Sequence, residues 1–394
     1  MPGDLQSQVQ KLQNHILHLT SKWRTPLPEA IKDAFLATPR HWFVKEIFRG
    51  DEVIKVTPDN LPHFLPAIYA DGPLTLKEDP DQRVFSTMSQ PTLVLLMLRL
   101  LELAPGQRVF EVGAASGWNA AMMGRLVGPS GRVFSVEIIP EIAEMARETI
   151  AAHGIRDVEI ITGDAGEGYA PGAPYDRAIF TAGAYDLPAV FFEQVRFGGL
   201  LLFILRLEGG GDQLMLLERK EDHFALLRSL PCSFVPFVGK HADTSLDPVE
   251  LKSFSGWPEL GEKEVDRRSF WWGLIEGIPP SMAMGVRSFL SVTEPNYVVF
   301  RDNAGSGSQT REQVFGLYRP EEKSLVIARR GALLSYGNTS ARDHLLKRLH
   351  DWIDHGMPSL ATMKLRIYPK DAIVPQAANQ WIVRRANSKL VWTL

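Results

Sequence analysis

The chain has 394 residues, of which 45% are hydrophobic, and its 43 basic and 46 acidic side chains leave a net charge of −3. This length and apolar content predict two domains, or one large domain with an extension, and exclude a disordered chain. The balanced charge gives no electrostatic reason to expect nucleic acid or an anionic membrane surface as the main partner.

The number of cysteines and the length of the apolar stretches further limit which kinds of protein this chain can be. Cys232 is the single cysteine, which excludes an intrachain disulfide and a cysteine-based zinc site, so we expect no metal centre and a reducing, cytoplasmic location. The first residues lack the basic and apolar segments of a signal peptide. The most apolar stretches, around Leu93–Leu103 and Leu200–Leu207, are too short to span a bilayer.

The first predicted element is a helix over residues 5–19. Its apolar residues recur at steps of four and three: Leu5, Val9, Leu12, Ile16 and Leu19. A helix that covers the domain is the main interpretation, and a dimer contact is the alternative. Pro26 and Pro28 then precede a second short helix, Glu29–Leu36.

Helices and strands alternate from about residue 93. The predicted strands are Arg108–Val112, Val133–Val136, Val158–Ile161, Ala178–Thr181 and Leu200–Leu205, and the predicted helices are Thr92–Leu103, Asn119–Val127, Ile142–His153 and Pro188–Val195. Single helices between strands are typical of an α/β fold with a doubly wound, mostly parallel sheet. Leu214–Glu218 and Ala225–Phe234 follow as an antiparallel pair.

The amino-acid composition and the pattern of predicted elements change after about residue 240. Residues 241–265 are polar and predict a linker between a first domain, residues 1–240, and a smaller α+β domain, residues 266–394. The later region contains one amphipathic helix, Ala341–His355, and six candidate strands: Tyr297–Phe300, Val314–Tyr318, Leu325–Ala328, Leu365–Tyr368, Trp381–Arg384 and Leu390–Leu394. Trp271-Trp272 and Met282–Met284 are interpreted as buried core, with a peptide-binding surface as the alternative.

Acidic residues and glycines at the ends of successive strands indicate a ligand site. The strand Arg108–Val112 runs through Glu111 into the loop Gly113–Gly117, which opens a helix, so that backbone N–H groups are accessible to a ligand. Glu137 ends the next strand at the spacing of an acidic residue that binds ribose hydroxyls, and Asp164 follows a third strand at an adenine edge. Each acidic residue taken singly also fits a helix cap.

Several segments occur in an order that is similar to one enzyme family. They are Pro39–Val44, Tyr69–Leu74, Thr87-Met88-Ser89-Gln90-Pro91, Ala173–Asp176, Thr181-Ala182-Gly183, Gly198-Gly199 and Phe234–Val238. With these segments, residues 28–240 resemble the protein-L-isoaspartate O-methyltransferases, which use S-adenosyl-L-methionine. The resemblance implies the Rossmann-like fold of class I methyltransferases.

The resemblance also implies a cofactor site and two catalytic residues, Thr87 and Ser89, at the mouth where the sulfonium methyl group meets an acceptor carboxylate. It places the loop Gly113–Gly117 at the methionine part of S-adenosyl-L-methionine, Glu137 at the ribose and Asp164 near the adenine. The full predicted cofactor-binding set is Ser86, Ser89, Glu111, Gly113, Ala114, Ala115, Gly117, Glu137, Ile138, Asp164, Ala165 and Thr181.

The implied reaction is methylation of an isoaspartyl or aspartyl carboxylate in a protein or peptide, the EC 2.1.1.77 class of protein repair. A carboxylate with a reference pKa of about 3.9–4.3 is already ionised at neutral pH and needs no general base. Ala115 and Phe85-Ser86 depart from the family pattern. They leave two alternatives, a dedicated aspartyl methyltransferase of peptide maturation and a non-catalytic adaptor. The C-terminal domain is expected to recognise the substrate or to form a homodimer.

Overall fold

A computed structural model of the chain describes residues 2–49, 52–78, 84–209, 211–261, 264–269, 283–302, 312–329 and 331–394. The α helices are α1 Pro2–Thr20, α2 Glu29–Leu36, α3 Leu61–Ile68, α4 Pro91–Leu101, α5 Trp118–Val127, α6 Pro140–Ala152, α7 Val190–Gln194, α8 Ala283–Thr293 and α9 Ser340–Asp354. The first strands are β1 Glu46–Arg49, β2 Glu52–Lys55, β3 Leu74–Glu78, β4 Val84–Met88, β5 Arg108–Val112, β6 Arg132–Glu137, β7 Val158–Thr162, β8 Tyr175–Phe180, β9 Val195–Leu207 and β10 Gly211–Arg219. The later strands are β11 Phe224–Cys232, β12 Val249–Glu250, β13 Glu264–Ser269, β14 Tyr297–Asp302, β15 Glu312–Arg319, β16 Ser324–Arg329, β17 Ala332–Tyr336, β18 Lys364–Pro369, β19 Gln380–Arg384 and β20 Ser388–Thr393.

The chain divides into two compact units. The first consists of Met1–Ile204, Leu214–Leu227 and Ser233–Ala242, and the second of Leu205–Gln213, Arg228–Cys232 and Asp243–Leu394. The chain therefore passes more than once between the units, so that no single cut at residue 240 separates them.

A parallel sheet forms the centre of the first unit. Its strands lie in the order β9-β8-β5-β6-β7, and every pair in this series runs parallel. Val112 is level with both Val136 and Phe180, and Glu137 is level with Thr162. The doubly wound, mostly parallel α/β sheet is thereby confirmed, and the carboxyl ends of its five parallel strands lie at one edge.

The N-terminal helix α1 packs against α2, α3 and α4 within the first unit. Val9 and Ile16 on its apolar stripe are buried, and the Gln13 side-chain amide donates to the carbonyl oxygens of Phe35 and Leu36. The stripe is thus occupied by contacts within the unit, as the covering-helix interpretation expects. No finding tests the dimer contact.

Residues between α2 and α4 contain elements that the sequence analysis did not predict. The strands β3 and β4 form a hairpin in which Thr75 lies opposite Thr87 and Leu74 opposite Met88. Leu74-Thr75-Leu76-Lys77 alternates apolar and polar residues, but the run is too short to predict a strand by itself, and the pairing of the two strands contains register shifts. This hairpin leads directly into the Thr87–Pro91 segment.

The second unit contains a six-stranded sheet in the order β12-β14-β15-β16-β17-β13, on which α9 packs. Its remaining strands β19, β20 and β18 are antiparallel neighbours in that order. The sequence analysis predicted the helix and the strands β14, β15, β16, β18, β19 and β20, but missed the helix α8. Trp271-Trp272 lie outside the described residues, as do the side chains of Met282 and Met284.

The predicted linker differs from the structure. Residues from Asp243 onward belong to the second unit, and β12 pairs with β14. Trp257 and Leu260 are 5% and 3% exposed and join Leu325 and Tyr336 in a hydrophobic cluster. Burial of these few large apolar side chains outweighs the polar composition around them, because each stabilises the fold by about 1.5–3 kcal/mol.

Candidate functional site

The loops that follow β5, β6, β7 and β8 converge at the carboxyl edge of the parallel sheet. The amide N–H groups of Gly113 and Ala114 donate to the Val136 carbonyl oxygen, and that of Thr181 donates to the Val112 carbonyl oxygen. Neighbouring strands therefore tie the first residues of each loop together. Ligands of open parallel sheets bind outside this edge.

The loop Gly113–Gly117 requires backbone conformations that favour glycine. Gly113 has a φ of +89°, and a Cβ atom added there would lie 2.5 Å from Thr181 Oγ1. Gly117, at +83°, is the N-cap of α5. Ala115 adopts a φ of +48°, which an L residue enters at a cost of about 1–2 kcal/mol. The loop therefore keeps a left-handed turn at the position where the sequence departs from the family.

The Glu137 carboxylate is held in place by backbone amides of the neighbouring loops. Its Oε2 atom accepts from the Ala115 amide at 2.8 Å, and its Oε1 atom accepts from the Ile139 amide at 3.0 Å. Burial raises the pKa of this carboxyl, and these backbone donors oppose that effect. Each carboxylate oxygen can accept a second hydrogen bond, so that Glu137 can still bind two ligand hydroxyls.

Glu111 is the second-last residue of β5, level with Ser135 on β6, and is 1% exposed. Its Oε1 atom accepts from Asn119 Nδ2 at 2.6 Å, and its Oε2 atom accepts from the Ser135 hydroxyl, since Ser135 is its register partner on β6. Burial raises the pKa of Glu111 to about 7, against the effect of these two donors. Sequence analysis missed Asn119 and Ser135, although the parallel register places Ser135 beside Glu111.

Asp164 follows β7, as predicted, and its carboxylate is hydrogen-bonded to two backbone amides. Its Oδ1 atom accepts from the Gly166 amide at 2.8 Å and its Oδ2 atom from the Lys240 amide at 2.7 Å. The side chain does not line the cavity described below, whereas Ala165 does. Asp164 thus ties the turn after β7 to residues 239–240, which resembles the capping alternative.

Two adjoining cavities, of about 550 Å³ and 370 Å³, lie on either side of the glycine loop. They share the wall formed by Thr87, Gly113, Ala115 and Thr181. The larger is also lined by Ser86, Glu137, Ile138 and Ala165, and the smaller by Ser89, Glu111, Ala114, Ser116, Trp118 and Asn119. Of the predicted residues, Gly117 and Asp164 are the two that line neither cavity.

Residues 235–238 form a wall of the larger cavity that was not in the predicted cofactor set. The Gly183 amide donates to the Val235 carbonyl oxygen, and the Phe237 amide donates to the Gly183 carbonyl oxygen. Phe237 also packs against Phe180 at the end of β8. The family-like segment Phe234–Val238 was the available signal, but no local pattern indicated where it lies.

Thr87 and Ser89 connect the cavities to an open groove of about 790 Å³. The residues that line this groove are Pro73, Thr87, Ser89, Gln90, Leu93, Ser233, Phe234, Val235 and Pro236. None of these described residues carries a charge. The groove therefore offers hydroxyl, amide and apolar groups to an incoming peptide, with no cation to neutralise a carboxylate.

Arg40 is fully buried and forms hydrogen bonds to the backbone of the Thr87–Gln90 segment. Its Nη1 atom donates to the Ser89 carbonyl oxygen at 2.7 Å, and its Nη2 atom donates to the carbonyl oxygens of Met88 and Gly72 at 3.3 Å. The guanidinium also lies 4.7 Å from the centre of the Trp118 ring. Burial lowers the pKa of Arg40 to about 9, so that it stays charged at neutral pH. Sequence analysis gave Arg40 no role.

The Asp71 side chain also anchors this segment, through its carboxylate. One carboxylate oxygen accepts from the Thr92 amide at 2.9 Å, and the other accepts from the Thr92 hydroxyl and from Gln90 Nε2. Because Pro91 begins α4 and has no N–H group, the Thr92 amide is the first free donor of the helix. Asp71 thereby caps α4 and anchors residues 90–92.

The described part of the chain contains neither a cluster of metal-ligand side chains nor a membrane-spanning helix. No group of three or more histidine, cysteine, aspartate or glutamate side chains there is arranged to hold a metal ion. Among the same residues, no helix combines the length and the apolar character that a membrane span requires.

Comparison with known proteins agrees with this geometry. The family described as protein-L-isoaspartate(D-aspartate) O-methyltransferase matches residues 11–242. The protein-L-isoaspartate O-methyltransferase of Ignicoccus hospitalis is 35% identical over 208 residues, which are 53% of this chain and 88% of that protein. The enzyme of the same name from Methanopyrus kandleri is 38% identical over 216 residues, covering 53% and 84%.

A solved structure shows the fold over more of the chain. It is a protein-L-isoaspartate O-methyltransferase with a TM-score of 0.54 and 21% identity, and the match covers 90% of this chain and 96% of that one. The family match spans more than half of the chain and includes every residue that lines the two cavities. This chain is therefore a member of the protein-L-isoaspartate(D-aspartate) O-methyltransferase family.

Proposed function

We propose that this protein transfers a methyl group from S-adenosyl-L-methionine to the side-chain carboxylate of an isoaspartyl residue in a protein or peptide. The observation that carries the proposal is the junction at Thr87 and Ser89. There, cavities lined by a glycine loop and acidic residues open into an uncharged groove. The donor and the acceptor would meet at this junction.

The residues of the larger cavity fit the cofactor. Its lining combines the backbone of the glycine loop and the Glu137 carboxyl with apolar groups such as Val136 and Ile138, the mixture typical of ligand pockets. The close approach of Thr181 to Gly113 leaves no room for a side chain on the loop, so that the backbone itself faces the ligand. Glu137 would hold the ribose hydroxyls, Ala165 and Phe237 would contact the adenine, and Glu111 would lie near the methionine part. When bound, the sulfonium supplies an electrophilic methyl group.

This reaction needs no general base and no covalent intermediate on the protein. An isoaspartyl carboxylate is already nucleophilic at neutral pH, and the groove lacks a cation that would tie up its charge. The hydroxyls of Thr87 and Ser89 orient the carboxylate, and the apolar groups of Leu93, Val235 and Pro236 exclude water. Orientation and exclusion of water are the two effects that such a transfer needs.

The alternatives have no finding in their favour. The adaptor interpretation was based on Ala115 and Phe85-Ser86, yet Ala115 adopts the left-handed turn of a glycine and Ser86 lines the larger cavity. No observation favours a dedicated peptide-maturation substrate. The cytoplasmic location, the homodimer and the substrate-recognition role of the second unit remain predictions.

The test uses the full-length protein with two synthetic peptides of one sequence, one containing isoaspartate and the other aspartate. We expect mass spectrometry to detect the gain of one methyl group on the isoaspartyl peptide, and release of methanol on mild alkaline treatment. The Ser89→Ala variant should lower turnover more than cofactor affinity. If neither peptide is methylated although calorimetry shows that S-adenosyl-L-methionine binds, the proposed acceptor is wrong and the proposed cofactor stands.

A further inference from the structure

The wall of the larger cavity at residues 235–238 is attached to the first unit at two places. Through Val235 and Phe237 it forms two backbone hydrogen bonds with Gly183. Beyond the wall, residues 239–241 contact the turn 164–167 that follows β7. All of these residues belong to the first unit, so the position of the wall depends on both attachments.

The second attachment begins at Gly239, where the backbone meets the Asp164 carboxylate. Gly239 has a φ of +119°, and a Cβ atom there would lie 2.7 Å from Asp164 Cγ, which is closer than two nonbonded carbon atoms approach. Because glycine has no Cβ atom and adopts this φ freely, Asp164 comes near enough for its Oδ2 atom to accept from the Lys240 amide at 2.7 Å.

The His241 side chain packs on the same turn. A Cβ atom at Gly166 would lie 2.9 Å from His241 Cδ2 and 3.1 Å from His241 Cβ. His241 Nε2 forms a hydrogen bond with Glu167 Oε1, and Lys240 Nζ lies 3.2 Å from the same oxygen. Hydrogen bonds from His241 and Lys240 lower the pKa of Glu167, so that it is ionised at neutral pH. We call the contacts between residues 164–167 and residues 239–241 the Gly166–His241 contact.

This contact lies directly behind the lining of the larger cavity. Ala165, between Asp164 and Gly166, lines the cavity and is 6% exposed. Val238, the residue before Gly239, lines the cavity as well. The chain leaves the first unit at Asp243, two residues after His241. A displacement of residues 239–241 would therefore move Val238 relative to Ala165.

We infer that the Gly166–His241 contact positions the wall at residues 235–238 against Ala165 and thereby sets the affinity of the larger cavity for the adenine part of S-adenosyl-L-methionine. Gly166, Gly239 and His241 do not line the cavity, so they act as positioning residues. A wall that is already in place in the unliganded protein lowers the cost of ordering on binding. The inference rests on the proposed cofactor and goes beyond it by naming residues that do not touch it.

Gly166→Ala in the full-length protein tests the inference. Gly166 does not have a positive φ, so alanine fits the backbone and its Cβ atom displaces the His241 ring. We expect calorimetry to show that the dissociation constant of S-adenosyl-L-methionine rises about tenfold. Turnover at saturating cofactor should change less than about twofold, because Thr87 and Ser89 are not part of the contact. Gly285→Ala, in α8 of the second unit with a Cβ atom 3.4 Å from Trp352, is the matched control and should bind as the parent does.

A double variant distinguishes this positioning role from a local effect on Ala165. In His241→Ala, the ring that the new Cβ atom would displace is absent, so adding Gly166→Ala should weaken binding by less than about twofold more. His241→Ala itself should weaken binding about fivefold, and His241→Gln should restore part of the affinity, since its amide can still donate to Glu167.

The outcomes separate the inference from the proposed function. If Gly166→Ala binds S-adenosyl-L-methionine as the parent does, or weakens binding equally with and without the His241 ring, the inference is wrong. If Gly166→Ala does not fold, His241→Ala and His241→Gln carry the test, and equal affinity in His241→Ala and the parent overturns the inference. If the parent does not bind S-adenosyl-L-methionine, the proposed cofactor and the inference both fail. If the parent binds it but methylates no peptide, only the proposed acceptor fails.

Discussion

The two walls of the cavity in the first unit are held in different ways. The glycine-loop wall, residues 113–117 with 137–139, is held by adjacent strands, through Ala115 to Glu137 and Gly113 to Thr181. The acceptor wall, residues 87–92, is held by Arg40 and Asp71, which come from earlier and separate parts of the chain. One wall is thus held by residues of the sheet edge itself, whereas the other is held by two side chains, of Arg40 and Asp71, that come from outside the parallel sheet.

We therefore expect that binding of the cofactor and alignment of the acceptor can be disrupted separately. Changes at Glu137 or Glu111 should act on cofactor affinity, and changes at Arg40 should act on turnover.

Arg40→Met should lower turnover on an isoaspartyl peptide by about a hundredfold while it changes the dissociation constant of S-adenosyl-L-methionine less than about threefold. Three carbonyl oxygens, of Gly72, Met88 and Ser89, lose their donor, and lost positioning of this kind costs about a hundredfold. Steady-state kinetics and calorimetry measure the two quantities.

Two controls accompany Arg40→Met. Arg40→Lys keeps the charge and should restore part of the turnover, since an ammonium can reach one or two of the carbonyls. Arg24→Met removes an exposed arginine and should leave both constants unchanged. An equal loss of cofactor affinity and turnover in Arg40→Met would mean that the two walls form one unit.

Glu137→Ala should weaken binding of S-adenosyl-L-methionine by about tenfold or more. The two ribose hydroxyls would lose a charged acceptor worth about 1.5–3 kcal/mol, and the Ala115 amide would lose its partner. Glu148→Ala, at an exposed position on α6, is the matched control. An unchanged dissociation constant by calorimetry would remove Glu137 from the site.

Glu111 should make cofactor affinity depend on pH. Because burial raises its pKa to about 7 and a cationic ligand favours its ionised form, affinity should increase about tenfold from pH 6 to pH 8. The stability of the unliganded protein should change in the opposite sense. Folded Glu111 keeps its proton to about pH 7 and the unfolded chain loses it near 4.5, so that its contribution to stability declines across this window.

Glu111→Gln separates these effects from those of other groups. The amide preserves the shape of the side chain and cannot ionise, so both pH dependences should flatten. Calorimetry measures the first and thermal unfolding the second, each at several pH values. A pH profile of cofactor binding that is the same in the variant and the parent would show that another group titrates.

Ala115→Gly should stabilise the unliganded protein by about 1 kcal/mol or less. A glycine adopts the φ of +48° without the cost of about 1–2 kcal/mol, but it loses more freedom on folding. Ala114→Gly, at a buried neighbouring residue whose φ is not positive, is the control and should destabilise. If both variants destabilise equally by chemical unfolding, Ala115 is not strained.

Much of the first unit could be predicted because its signals are local. The strands β5, β6 and β7 and the helices between them follow from apolar periodicity and from Gly and Pro at their ends. The bounds of α2 and β5 agree with the structure to the residue. The helices α3 and α8 also carry a helical period, Phe64, Leu65 and Ile68 in α3 and Val286, Phe289 and Leu290 in α8, which the sequence analysis missed. The hairpin β3–β4 gave a weaker signal because its strands are short and their register shifts.

The edge of the sheet at which the loops converge could be predicted from the sequence alone. Glu111, Gly113, Ala115 and Glu137 lie on consecutive strand ends of a parallel sheet, and the geometry of that sheet brings strand ends together. Contacts made in the folded chain set the partners of Arg40, the wall at residues 235–238, the side chain of Asp164 and the place of residues 243–265. Each of these depends on contacts between residues that are distant in the chain, and no periodicity or spacing records which distant residues will meet.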